Sequence, residues 1–181
     1  VMDGCPVETT TLRKDIDTDG RWARVEFGSS FREDAARRDF TMNAMSQDAA
    51  GKVFDYFSGQ QDIKKGCIRF VGEASGRIRE DYLRILRYFR FSARFDFVRD
   101  ADTLQAISDR KSGLSKISRE RINKEVGGLL QARAPSIVVA EMVSLGLQPY
   151  VFGGGQFLPT ANELRWLDYL PENPFYPWDR W

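Results

Sequence analysis

Arg79-Glu80-Asp81-Tyr82-Leu83-Arg84-Ile85-Leu86-Arg87-Tyr88-Phe89-Arg90-Phe91 is the stretch on which the reading of this chain turns. It holds neither Gly nor Pro, and it predicts one unbroken helix within a helical segment over about 77–96. At about 100° per residue, Asp81, Arg84 and Tyr88 share one face. Tyr82, Leu86, Phe89 and Ala93 form an apolar stripe suited to a core. Arg87, Arg90 and Arg94 form a basic stripe. A helix with these three faces can hold an anionic ligand that also has a polar edge, and a nucleotide is such a ligand.

The chemistry of the Asp/Arg face narrows this further. An ionised Asp accepts hydrogen bonds and an Arg only donates them. Asp81 and Arg84 side by side present an acceptor and then donors. Cytosine and adenine both carry an exocyclic amino donor next to a ring-nitrogen acceptor; uracil and guanine show the opposite order. One such pair admits C and A and leaves buried polar groups unpaired with U or G. The plain alternative is a surface i, i+3 ion pair, worth only about 0.2–0.5 kcal/mol.

Upstream lies Arg37-Arg38-Asp39-Phe40-Thr41-Met42-Asn43-Ala44-Met45. Arg38 can grip phosphate oxygens with its planar fork, and Asp39 can accept from a ribose hydroxyl. Thr41 and Asn43 are small polar groups beside an apolar Phe40/Met42 pair. The alternative is an Arg–Asp pair that fixes one part of the chain to the other.

The chain has 181 residues, enough for one or two domains with a sizeable core. Its net charge of +1 gives no global field for nucleic acid, so any such field must come from local clusters. There is no histidine, which excludes His bases and His metal ligands. Cys5 and Cys67 fit neither a disulfide framework nor a metal spacing, and they read as thiols of a reducing, cytoplasmic compartment. No run of about 18 apolar residues predicts a membrane span.

Val7–Leu12 has strand composition, 15–20 reads as a turn-rich loop, and 24–27 as a short strand. Residues 31–49 read as helical, capped by Ser29 or Ser30, and 52–57 as a strand before the Ser58-Gly59 turn. Further helices are expected at about 101–109, 118–132 and 135–145. Asp15-x-Asp17-x-Asp19-Gly20-x₅-Glu26 satisfies the EF-hand calcium pattern, but its flanks do not read as helices, so a solvated acidic loop is the better reading. Gly153-Gly154-Gly155 precedes Phe-Leu-Pro and reads as a turn, not a phosphate loop. The aromatics from Trp166 to Trp181 suit helix packing more than base stacking.

The Arg38–Met45 and Glu80–Arg84 motifs resemble the second and fourth motifs of class II tRNA nucleotidyltransferases, the CCA-adding enzymes, and of the related bacterial poly(A) polymerases. Asp55-Tyr56-Phe57-Ser58-Gly59-Gln60-Gln61-Asp62 is similar to their hinge motif, and Ser118-Arg119-Glu120-Arg121-Ile122 to their fifth. The four occur in the family's order, between about Val7 and Leu130. The resemblance implies an α+β fold: the C-terminal part of a nucleotidyltransferase head over 1–70, a helical base-recognising neck over 71–134, and the start of a helical body over 135–181.

It also implies a function. Nucleotide contacts fall on Arg38, Asp39, Asp81, Arg84, Arg87 and Arg90, with Asn43 in support. Glu80 would brace Arg84, and Arg119 or Glu120 would buttress that helix. Glu8 is a candidate third carboxylate, and no metal ligand set is assigned. The expected substrates are CTP, ATP and the tRNA 3′ end, with Mg²⁺ as cofactor. In the family an upstream Asp-x-Asp pair holds the metal. That pair is absent, so the chain reads as a fragment, inactive alone, whose partner would be the missing N-terminal part or a complementary chain. A poly(A) polymerase fragment, a non-catalytic RNA- or nucleotide-binding subunit and, remotely, a calcium module are the competing readings.

Overall fold

The predicted single helix is two helices. The computed structural model describes residues 10–18, 23–27, 30–153 and 161–169. In it α3 spans Ala74–Glu80 and α4 spans Leu83–Phe95. Between them Asp81 is extended, with φ −151° and ψ 108°. Its Oδ1 accepts from the Leu83 N–H at 3.0 Å, and its carbonyl accepts from the Arg84 N–H at 3.0 Å. Asp thus caps a new helix with a side-chain oxygen that a continuous helix would leave idle. Absence of Gly and Pro did not protect the helix, because Asp offers the backbone a rival partner.

The break rotates the faces of the predicted wheel. Leu83, Ile85, Leu86, Tyr88, Phe89 and Ser92 are the buried side of α4. Tyr88, expected beside Asp81 and Arg84, is instead fully buried and stacks on Phe70 at 5.9 Å between centroids. Burial pushes its phenol pKa well up. Tyr82, expected in the core stripe, is only half-buried.

Upstream, β1 (Arg13–Thr18) pairs antiparallel with β2 (Ala23–Phe27), with a bulge between Asp15 and Asp17. Residues 15–18 are therefore strand, where a loop was expected. Asp15 and Asp17 lie on β1 and Glu26 on β2, so the flanking helices of a calcium loop are replaced by a hairpin. Asp19 and Gly20 lie outside the described residues, as do Glu8 and most of the predicted 7–12 strand; Thr10–Leu12 carry no strand.

The helix expected over 31–49 is short. α1 spans Phe31–Ala36, capped by Ser30, whose hydroxyl accepts from the Glu33 N–H. It ends because Phe40 is drawn into an antiparallel bridge with Phe70, with Val71 N–H donating to Asp39 O at 2.9 Å and Thr41 N–H to Arg69 O at 3.0 Å. Burying the Phe40 ring outweighs any local helical preference there. A 3₁₀ turn at Thr41–Asn43 follows, then a hairpin of β3 (Met45–Gln47) and β4 (Val53–Asp55).

Helix α2 (Gly59–Lys65) starts after Ser58 in the left-handed region, φ 63°. The Asp55 carboxylate accepts from the N–H groups of Phe57, Gly59 and Gln60, which holds this turn. Gly59 is demanded by space: a Cβ there would lie 2.3 Å from the Thr41 carbonyl oxygen. Thr41 Oγ1 donates to buried Asp62 at 2.6 Å, and Arg69 donates to the same carboxylate at 3.1 Å.

The remaining elements are α5 (Ala101–Arg110), a 3₁₀ segment at Lys111–Lys116, α6 (Arg119–Leu130), α7 (Pro135–Ser144), α8 (Gln148–Val151) and α9 (Ala161–Leu164) running into a 3₁₀ turn to Tyr169. α6 packs along α4. One core runs from Phe40 and Phe70 through Ile85, Tyr88 and Phe89 to Ile122, Met142 and Leu167. It seats the Arg37–Asn43 loop directly against α4, which positions the site described next. Among the described residues, no helix is long and apolar enough to cross a membrane.

Candidate functional site

An open cavity of about 710 Å³ lies where the Arg37–Asn43 loop meets the start of α4. Arg38, Asp39, Asn43, Asp81, Arg84 and Arg87 line it, joined by Arg37, Leu83, Phe91 and Arg121. Two segments about forty positions apart are thus brought to one cleft. Its lining is strongly cationic, with five guanidinium groups facing two carboxylates, so it suits a polyanion with a polar edge.

The arginines of the loop are mounted on one acid. Buried Asp34, on α1, takes Arg37 through Oδ1 at 2.5 Å and Arg38 through Oδ2 at 3.0 Å. Arg38 also donates to the Asn43 carbonyl at 2.9 Å. Asp34 was not singled out in the sequence; its i+3 and i+4 spacing to the two arginines was the available signal.

Asp39 is more deeply engaged than a free ribose acceptor. Its Oδ1 accepts from the Phe40 N–H at 2.8 Å and from Asn43 Nδ2 at 3.1 Å. Its Oδ2 accepts from Arg87 Nε at 2.6 Å. Burial alone would raise its pKa, but the Arg87 charge and these hydrogen bonds prevail and hold the carboxyl below its ordinary range. The pair joins loop to helix, which matches the plainer of the two expectations for this motif.

Asp81 and Arg84 do not pair with each other. Asp81 Oδ2 accepts from Arg121 Nη2 at 2.8 Å, while Oδ1 serves the Leu83 N–H. Arg84 Nη1 donates to Glu80 Oε2 at 2.6 Å and to the Arg77 carbonyl at 2.8 Å; its Nη2 reaches the Arg37 carbonyl at 3.3 Å. Glu80 also takes Arg77 at 2.6 Å. Arg77 in turn donates to the Arg37 and Arg38 carbonyls, clasping α3 to the loop. Burial and neighbouring Arg84 lower the pKa of Arg77. Arg77 and Arg121 carried no sequence expectation of their own, because the carbonyls that Arg77 clasps and the carboxylate that Arg121 meets lie about forty positions away.

The basic stripe of α4 divides. Arg87 enters the cavity, but Arg90 does not. Arg90 pairs with buried Glu125 on α6 at 2.6 Å and lies over the Phe91 ring at 4.2 Å. Gly128 leaves room for it, since a Cβ there would come within 2.7 Å of Arg90 Cδ. Arg94 is exposed on the turn beyond. Arg119 donates to the Tyr150 and Val151 carbonyls at the end of α8, not to α4, and Glu120 is exposed. The buttress of α4 from α6 is instead made by Glu125 and Arg121. Glu8 lies outside the described residues.

The described residues do not fit the expected Mg²⁺. Among them no group of three or more Cys, Asp or Glu converges as a metal site. Both carboxylates of the cavity already accept from guanidinium groups. No step is therefore routed through a metal here.

The chain is similar to proteins of one family. Residues 1–69 match the Poly A polymerase head domain, and residues 96–157 match the probable RNA and SrmB-binding site of polymerase A. The chain is 46% identical over 169 residues to the mitochondrial CCA tRNA nucleotidyltransferase 1 of Homo sapiens, covering 92% of this chain and 38% of that protein. It is 39% identical over 171 residues to the CCA-adding enzyme of Geobacillus thermodenitrificans, covering 92% of this chain and 42% of that one. The crystal structure of the Bacillus stearothermophilus CCA-adding enzyme in complex with CTP matches with a TM-score of 0.76 and 36% identity, over 88% of this chain and 38% of that one. A Thermotoga maritima CCA-adding enzyme complexed with tRNA matches with a TM-score of 0.65 and 28% identity, over 72% of this chain and 33% of that one. The chain thus spans about four tenths of the length of the curated relatives it matches. With the two motif segments lining one cationic cleft and these relatives alongside, the chain belongs to the family of CCA-adding tRNA nucleotidyltransferases and poly(A) polymerases.

Proposed function

We propose that this chain is the nucleotide-selecting part of an enzyme that adds CMP and AMP from CTP and ATP to the 3′ end of tRNA without a nucleic-acid template. The observation that carries the reading is the convergence of Arg38, Asp39 and Asn43 with Asp81, Arg84 and Arg87 on one cavity. Asp81 Oδ2 keeps a lone pair for an exocyclic amino group, and Arg84 Nη2, whose bond to Arg37 O is the longest it makes, is the donor left for a ring nitrogen. Arg38 and Arg87 take triphosphate oxygens. Asp39 and Asn43 fix the loop and bound the ribose side. Arg90, paired to Glu125, acts at one remove by mounting α6 on α4.

On this reading the head runs over 1–70, the base-recognising neck over 71–134 and the body starts at 135. Phosphoryl transfer belongs to the whole protein. Mg²⁺ would neutralise charge developing on the transferred phosphoryl group, held by groups other than those described. The proposed setting is the cytoplasm, where Cys67 stays a thiol.

Calorimetric titration of the chain with each of the four nucleoside triphosphates tests the proposal. CTP and ATP are expected to bind at least about tenfold more tightly than UTP and GTP, the smaller end of discrimination by hydrogen-bonded edges. Preference for ATP alone would point to the poly(A) polymerase branch. Equal binding of all four would overturn the reading.

A further inference from the structure

We propose that Arg77 is a positioning residue for the triphosphate: from α3 it holds the backbone of the Arg37–Arg38 loop at the distance from α4 at which Arg38 meets phosphate. The proposal rests on the reading that this cavity takes CTP and ATP, with Arg38 and Arg87 on the triphosphate.

The Arg38 side chain is fixed to its own segment. Its guanidinium rests on Asp34 of α1 and on the Asn43 carbonyl at the far end of the same loop. The loop is tied to α4 through Asp39 and Arg87. Arg87 also lines the cavity, so a triphosphate draws on the very group that holds the loop. A loop held there alone would shift as the ligand arrives. A second tie, out of the ligand's reach, keeps it in place.

Arg77 is such a tie. Its side chain is 13% exposed and stands outside the lining of the cavity. Its Nη2 donates to the carbonyls of Arg37 and Arg38, which end α1, where a cation is favoured. Its Nη1 donates to Glu80 at 2.6 Å. Its Nε is buried with no hydrogen-bond partner. A buried N–H left unpaired costs free energy, and the fork accepts that cost to reach two carbonyls of a distant loop. The mount is rigid. Ile78 beside it is fully buried, Glu73 caps α3 at the Ser75 and Gly76 N–H groups, and Arg110 of α5 donates to Ser75 Oγ at 3.0 Å.

Base reading does not draw on this side chain. Arg84 is held by Glu80 Oε2, by the Arg37 carbonyl and by the backbone carbonyl of Arg77, which any residue at that position supplies. Losing the Arg77 guanidinium should therefore weaken the grip on phosphate and spare the choice of base.

The test compares binding of CTP, ATP, UTP, GTP and inorganic tripolyphosphate by the full chain and by Arg77→Met. Affinity for tripolyphosphate, CTP and ATP is expected to fall by about tenfold each, the worth of one hydrogen bond to a charged group. The CTP-over-UTP and ATP-over-GTP ratios are expected to hold. Arg77→Lys should recover part of the loss, since it keeps the charge and loses the fork. Combined with Arg38→Ala, Arg77→Met should cost clearly less than the product of the two single effects, because it acts through the same loop. If Arg77→Met does not fold, Arg77→Gln, which keeps a neutral donor, carries the same comparison.

The outcomes separate two failures. A wild-type chain with no preference for C and A overturns the proposed function and this inference with it. A wild-type chain with that preference, and a variant that keeps full tripolyphosphate affinity, overturns only the role of Arg77. A fall in the base ratios would place Arg77 in the service of Arg84, and full multiplication with Arg38→Ala would detach it from the loop; either result overturns the positioning role.

Discussion

The two carboxylates of the cleft are the same residue type in opposite circumstances. Asp39 is buried and accepts from Phe40, Asn43 and Arg87. Asp81 is about one-quarter exposed at a helix break and accepts from Leu83 and Arg121. A buried carboxylate whose oxygens are already taken by three donors cannot be offered to a ligand without a large loss; it is a clamp. A carboxylate at the rim, with each oxygen holding one donor, still has lone pairs to offer; in the function proposed here it is the reader. The same chemistry becomes structure or recognition according to how many of its acceptor positions the fold has already taken.

The largest expected effect tests the clamp. Asp39→Ala should lower unfolding stability by roughly 3 kcal/mol, the low end for breaking a buried pair because Arg87 is one-third exposed. Arg87→Ala should cost a similar amount, since it strands the buried carboxylate. In chemical denaturation the double variant should cost far less than the sum of the two. Additive losses would mean that the two residues do not act as a unit.

Next comes the reader. Asp81→Ala should cost stability only about 1 kcal/mol, through the lost helix cap. Its base selectivity should collapse, with the CTP-to-UTP affinity ratio falling by about one hundredfold. A ratio that survives while all four nucleotides bind equally more weakly would make Asp81 a second clamp and dissolve the contrast.

The smallest effect is the pH dependence of the clamp. The folded-state pKa of Asp39 lies below its unfolded value. Its contribution to stability is therefore fully present above the unfolded pKa near 4, and is lost as pH falls through the lower folded value. Denaturant midpoints measured from neutral pH down to below pH 3 should fall less steeply in Asp39→Asn than in the wild type. Parallel curves would show that other carboxylates carry the acid sensitivity.

The three helices between Asp100 and Leu145 were legible because period and punctuation agree there, whereas α8 and α9 were not expected. Asp100 caps α5 through the Thr103 N–H at 2.8 Å, and Pro135 opens α7. The motif residues were legible as a set, and the fold brings most of them to one cavity. What eluded a linear reading were the points where a side chain rivals the backbone or a distant strand captures a segment. Asp81 divided one expected helix into two. Phe40, bridged to Phe70, ended another after Ala36.

The sequence by itself determined which residues could bind a nucleotide, because donor and acceptor chemistry and motif order are properties of the chain. Only the tertiary structure decided what each of them does. Arg90 left the cleft because Glu125 was waiting on α6. Tyr88 left the reading face because the break at Asp81 turned α4 and the core took its ring. Arg121 on α6 met Asp81 across forty positions. Charges and aromatic rings settle on whichever opposite group or dry surface the packing brings within a few ångströms, and that proximity is fixed by the core, not by spacing along the chain.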